Sequence, residues 1–215
     1  MTTTNPNTPY GLSPIRRLDG AKWQDSARVY FVPAAQTNAL FVGDPVIKKA
    51  GSADVNGVNG VDLAGTTGAV TGVVVGFIGI ATAGSGNEPS FFGLSGTPGP
   101  AYRPASTSYD YYVLVNDDPE AEWLVQADNN YGGVSGTPVP VAAVGKNANL
   151  KSGTGSVYTG LSGWLMDSNT VATTSTLQLN IVGVYTDAQN AAAALNGKFF
   201  VRLNTSTEIT GQSGI

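Results

Sequence analysis

Three observations on the 215-residue sequence predict a mainly β fold. Where hydrophobicity is patterned, the period is two: in "TLQLNIVGVY", Leu177, Leu179 and Ile181 share one face and Gln178 and Asn180 the other. A single segment carries helix-forming chemistry. Polarity comes from Gly, Thr, Ser and Asn, with 28 glycines and a charged fraction of 12%, about half the usual quarter. A chain of this length buries roughly 70% of its unfolded surface, so one domain needs no disulfide or metal staple. The expected architecture is a single β-barrel or β-sandwich (jelly-roll-like) domain over residues 23–215. An extended N-terminal arm over 1–22 and one short helix near residues 187–196 complete it.

The elements follow in chain order. Pro6, Pro9 and Pro14 exclude helix from the first 22 residues and favour extended backbone. Arg16, Arg17, Lys22 and Arg28 place four of the eleven basic residues here, beside Tyr10 and Trp23. Such an arm either clasps a neighbouring subunit or lies as an edge strand against its own domain. "RVYFVP" and "ALFVGDPV" read as two strands of a hairpin joined by "AAQTN". "GSADVNGVNGVDLAGTTG" is turn chemistry, with Asn-Gly pairs at 56–57 and 59–60. "AVTGVVVGFIGIATA" is too short to span a bilayer and is broken by glycines; it predicts a buried strand pair. "GSGNEPSFFGLSGTPGP" reads as a long surface loop, with Phe91 and Phe92 anchored in a neighbour or in their own core. Trp164, Leu165 and Met166 are candidate core. In "TDAQNAAAALNG", Thr186 or Asp187 can cap a helix that Asn196-Gly197 would stop. "KFFVRLN" alternates again, with Phe199, Val201 and Leu203 inward and Arg202 outward.

Composition also excludes chemistry. With no histidine and no cysteine, the chain has no imidazole base, no thiolate nucleophile and no HExxH or cysteine zinc site. A net charge of -4 argues against nucleic acid as a partner. The N-terminus lacks the basic and apolar regions of a signal peptide, which predicts a soluble product made in the cytoplasm.

The stretch from Asp110 to Asp128 holds six of the fifteen acidic residues. "YYVLV" and "AEWLVQAD" read as strands and "NDDPE" as the turn between them. Asn116, Asp117 and Asp118 then cap a hairpin tip, while Glu122, Gln126 and Asp128 line a wet strand face. A glycosidase would need two carboxylates facing a sugar across about 5–9.5 Å, one in an apolar pocket. A calcium loop at Asp54, Asn56, Asn59 and Asp62 lacks the glycine and glutamate positions of an EF-hand. The expectation is no catalytic residue, no metal and no cofactor.

"YGLSPIRRLDGAKWQDSARVYFVPA", "ALFVGDPVIKKAGSADVNGV", "GAVTGVVVGF", "YYVLVNDDPEAEWLVQAD" and "GLSGWLMDSNTVATTSTLQLNIVG" together resemble tailed-bacteriophage virion structural proteins, the head decoration (cement) family. The resemblance implies a non-enzymatic protein on the capsid exterior, partnered by the phage major capsid protein and by itself as a homodimer or homotrimer, with no membrane. It transfers no active-site residues. Capsid or intersubunit contact is expected at Tyr10, Arg16, Arg17, Lys22, Trp23, Phe91 and Phe92. The alternative is a receptor- or glycan-binding virion protein, a head fibre or tail adhesin.

Overall fold

The computed structural model describes residues 4–24, 26–81, 101–105 and 110–207. Thirteen strands run in chain order: β1 (Ser13–Arg17), β2 (Arg28–Val32), β3 (Leu40–Phe41), β4 (Pro45–Lys48), β5 (Val61–Leu63), β6 (Gly72–Ala81), β7 (Tyr102–Arg103), β8 (Asp110–Asn116), β9 (Ala121–Gln126), β10 (Asn147–Lys151), β11 (Leu165–Ala172), β12 (Leu179–Val184) and β13 (Lys198–Leu203). They form a six-stranded sheet, β1-β9-β13-β12-β10-β11, a five-stranded sheet, β2-β8-β6-β4-β5, and the pair β3-β7. Every ladder is antiparallel, compatible with a β-sandwich. Both large sheets curl. Isolated bridges tie Met166 of β11 to Ala127 beyond β9, and Phe31 of β2 to Gly60 before β5, but neither sheet closes as a barrel.

Each curl wraps its own core. Trp123, Met166, Leu179, Ile181, Phe199 and Val201 fill the larger one, Tyr30, Val32, Leu40, Val46 and Val113 the smaller. The sheets join where β6 sends Val73 to the first core and Val74 to the second, and Leu63 packs against both. The alternation in β13 holds as expected, with Phe199, Val201 and Leu203 buried and the residues between them half-buried. At Gly72 a Cβ would lie 2.3 Å from the Asn116 carbonyl oxygen, so only glycine lets β6 approach β8 so closely there. Among the described residues no helix is long and apolar enough to cross a membrane.

Several expectations are corrected. The β2–β3 hairpin is absent, since β2 pairs with β8 and β3 with β7. Residues 33–38 instead wrap the fully buried guanidinium of Arg103, which donates to the carbonyls of Pro33, Ala34, Gln36 and Asn38 at 2.8–3.3 Å. The apolar run from Ala69 is not a strand pair but the one long strand β6, bent by register shifts between Val74 and Gly76 and between Phe77 and Gly79. β8 and β9 do not pair: the first joins the five-stranded sheet, the second the six-stranded one. "NDDPE" is therefore the corner at which the chain changes sheets.

The short helix at 187–196 is also absent. Its place is taken by turns, with left-handed Ala193 and Asn196 at φ 55° and 57°. Remote partners capture the backbone groups a helix would use. Asn5 accepts from the Ala191 amide at 2.8 Å and donates to its carbonyl at 3.2 Å, and the Asn5 amide reaches the Leu195 carbonyl at 3.1 Å. A two-turn helix has little nucleation strength to set against them. The only helical turns among the described residues are single 3-10 turns at Tyr131–Gly133 and Val141–Ala143.

Of the two readings of the N-terminal arm, the described residues show the edge strand. β1 is extended and pairs with β9 of its own chain, and Leu12 is buried in the larger core. Gln126 accepts from the Thr8 amide and donates to Asn7. At Gly11 (φ 73°) a Cβ would meet the Gly43 oxygen at 2.3 Å, where this segment crosses the turn before β4.

Candidate interaction surface

The expected contact residues distribute over two neighbouring places around β1. Tyr10 and Arg16 reach the outer face of the six-stranded sheet. Arg16 Nε lies 2.5 Å from Glu122 Oε2, and its guanidinium stacks 5.0 Å from the Phe200 ring centroid. Phe200 meets Tyr185 edge-on at 5.7 Å, and Lys198 Nζ sits 4.9 Å over the Tyr10 ring. Burial, with Tyr185 alongside, pushes the Tyr10 phenol up to about 12. The result is a patch of three aromatic rings interleaved with cations. Tyr185, Lys198 and Phe200 were missed in the sequence, although "KFFVRLN" places an aromatic on its non-core face.

Arg17 and Lys22 turn towards the corner instead. Leu18–Ala21 reverses the chain after β1, and Lys22 bridges back to Arg16, covering part of the sheet edge. Arg17 holds Glu120 at 2.7 Å and Asp118 at 3.0 Å. Lys22 is exposed and makes no ion pair among the described residues. Trp23 is half-buried, and its indole N–H has no partner. A cleft of about 780 Å³ lies between Lys22, Gln24, Ser26 and Arg28 on one side and the Asn116–Pro119 corner on the other. Phe91 and Phe92 lie outside the described residues.

The acidic stretch is largely drawn into the scaffold. Asp117 accepts from Tyr30 Oη at 2.8 Å and faces Arg28 Nη1 at 3.2 Å. Asp110 accepts from the Ala34 amide at 2.7 Å. The expected wet face of β9 is in fact covered: Glu122 and Gln126 are buried, because β1 and the residues before it lie over them. Gln178, also expected outside, is buried; it accepts from the Leu150 amide and donates to the Gly65 carbonyl, both at 3.0 Å.

Asp128 lies under Lys151 (2.7 Å) and accepts from the amide and hydroxyl of Ser168. Burial alone would push its pKa up, but Lys151 and Ser168 outweigh that and hold it below the usual carboxylate value. Asp167 is raised by burial, with the Asp128 charge adding. Asp44, 2% exposed, is pushed up to about 6 by burial although it accepts from Ser162 and from the Phe41 amide at 2.8 Å.

The loop weighed for calcium turns its oxygens to its own chain. Asp54 accepts from the amides of Asn56 and Val58 and from Tyr112 Oη at 2.6–2.9 Å. Asp62 accepts from Lys49, Asn38 and its neighbour's amide. Among the described residues no three acidic side chains converge. Among the described residues the surface offers rings, cations and an open cleft.

Comparisons with protein-family models, with curated proteins and with solved structures find no match.

Proposed function

We propose that this chain is a non-enzymatic decoration, or cement, protein of a tailed-bacteriophage head. It would bind the outer surface of the expanded capsid and stabilise contacts between major capsid protein subunits. The observation that carries the reading is the commitment of the acidic stretch to structure. Asp110, Asp117, Asp118, Glu120, Glu122 and Asp128 each hold a cation or a backbone amide of their own chain. In a chain without histidine or cysteine, that leaves stiffness and surface as its working properties. The sequence resemblance supports the same reading.

The mechanism is linkage. An expanded shell offers seams that the unexpanded shell lacks, and a protein that binds only the expanded state stabilises it by mass action. The ring-and-cation patch around Tyr10, Arg16 and Phe200 is the surface proposed to meet the capsid or an adjacent copy, in a dimer or trimer following local symmetry. Purified chain added to expanded heads lacking it should bind saturably and raise their rupture temperature. Tight binding to unexpanded heads, with none to expanded ones, overturns the proposal.

A second reading, a receptor- or glycan-binding virion protein, is favoured by one feature. Tyr158 is 96% exposed, beside Val157 at 52% and Leu161 at 40%, a chemistry suited to adhesion. Loss of cell adsorption in Tyr158→Ala particles that keep full decoration would select it.

A further inference from the structure

Three Asn-Gly pairs occur in the chain, at 56–57, 59–60 and 196–197, and all three lie in described residues. Glycine has no side chain to keep its backbone nitrogen away from the carboxamide of the asparagine before it. That nitrogen attacks the asparagine Cγ wherever the backbone lets the two atoms meet. The first two pairs sit in identical tetrapeptides, Val-Asn-Gly-Val, so any difference between them comes from the fold.

Asn196 is 7% exposed, and both ends of its carboxamide are engaged. Nδ2 donates to the Asn5 carbonyl at 2.9 Å, and Oδ1 accepts from Asn129 Nδ2 at 2.6 Å. Gly197 is buried, and its carbonyl accepts from the Ala127 amide at 2.9 Å. Asn59 is exposed, but the glycine after it is fixed. Gly60 packs so tightly that a Cβ there would lie 1.9 Å from Ser52 Oγ. The carbonyls of Asn59 and Gly60 accept from the Phe31 and Lys49 amides, both at 2.9 Å. Opening either pair breaks contacts between separate parts of the chain.

Asn56-Gly57 differs. Both residues are exposed, and a Cβ on Gly57 (φ 83°) would meet nothing within 4 Å. The Gly57 amide donates to the Asp54 carbonyl at 3.2 Å, the long end of the N–H···O range. The Asn56 carboxamide bonds the Asp54 side chain, two residues back. Opening this tip disturbs contacts local to residues 54–58.

We infer that Asn56 is the site at which this chain deamidates, and that the fold protects the other two pairs. The Gly57 nitrogen gives its proton to solvent base and attacks Asn56 Cγ. The Cγ–Nδ2 bond breaks, and ammonia leaves with a proton returned from solvent, giving a cyclic imide. Water then opens the imide at one of its two carbonyls. One opening yields aspartate, the other isoaspartate, in which the main chain runs through Cγ. Either product sets a new carboxylate beside that of Asp54, which already accepts from the Asn56 and Val58 amides and from Tyr112 Oη. The inference rests on this loop alone and stands whether or not the chain decorates a capsid.

The test is peptide mapping by mass spectrometry of the full chain, aged folded and in guanidinium side by side at mildly alkaline pH. Fragmentation that separates aspartate from isoaspartate locates each converted residue. In the folded chain Asn56 should convert at least about tenfold faster than Asn59 or Asn196, whose conversion awaits larger openings. In guanidinium the three should convert at similar rates. Raising the pH should speed the reaction at Asn56, because the attacking nitrogen must first lose its proton. Three results overturn the inference. They are Asn59 or Asn196 converting as fast as Asn56 in the folded chain, no conversion at Asn56 while the unfolded chain converts, and aspartate formed there without isoaspartate, which means direct hydrolysis with no imide.

Discussion

Arg103 shows how one side chain can organise an irregular segment. Its guanidinium is buried with no carboxylate in ion-pair contact among the described residues; Nη1 and Nη2 donate to four carbonyls of residues 33–38, Nε has no hydrogen-bond partner, and the Tyr111 ring lies 5.8 Å away. Burial lowers its pKa, yet an arginine starts so high that it stays charged. A lysine cannot reproduce the planar fork. Arg103→Lys should therefore destabilise the fold by about 2–4 kcal/mol in urea unfolding, and a change near zero would refute the organising role. Asp44 poses the opposite problem. Its folded pKa of about 6 lies above the ordinary 3.8, so between those values the folded state binds more protons than the unfolded one. Stability at this site is then highest below pH 3.8 and falls as pH rises through 6, by about 3 kcal/mol in total. Asp44→Asn keeps an acceptor for the Phe41 amide and removes the titration. The variant's unfolding free energy should lose this part of the pH dependence between pH 4 and 7; an unchanged profile would show that Asp44 does not titrate there.

At the scale of elements, the N-terminal segment is held by a core residue and by side-chain amides. Leu12→Ala should cost about 2–4 kcal/mol, the usual range for a filled core position. Asn5→Ala removes two hydrogen bonds to Ala191 and should speed proteolysis ahead of β1 while leaving the midpoint of global unfolding nearly in place. Equal proteolysis rates in variant and parent would argue that β1 alone holds the segment. These ties were hidden in the sequence, where Asn5 sits between a threonine and a proline and reads as turn chemistry. Faces were legible and partners were not. Period two in "KFFVRLN" correctly buried Phe199, Val201 and Leu203, because alternation depends only on which side of a strand meets the core. The same logic assigned Glu122 to water, since nothing local announces that β1 will cover it. It also folded β8 onto β9 across "NDDPE", although turn residues serve a change of sheet as well as a hairpin. Of the candidate contacts, Tyr10 and Arg16 were legible as aromatic and basic residues on an extended segment.

At the scale of the molecule, two cores share one continuous chain. The larger contains Trp123 and Trp164, while the smaller has tyrosines and no tryptophan. β6 serves both through Val73 and Val74, so loss of one core exposes the strand that supports the other. Tryptophan fluorescence and far-ultraviolet circular dichroism should therefore report one coincident guanidinium transition. Separated midpoints would mean that the cores unfold independently. The contact between Asn196 Nδ2 and the Asn5 carbonyl, 2.9 Å long across 191 residues of sequence, carries a further consequence. During synthesis at about 5–20 residues per second, residue 5 waits roughly 10–40 s for its partner to be made. Until then the segment is tied through Thr8 to Gln126 and through Leu12 to Gly43, and with nonlocal ladders throughout, the nascent chain is slow to mature while a charged fraction of 12% gives it little electrostatic protection from aggregation.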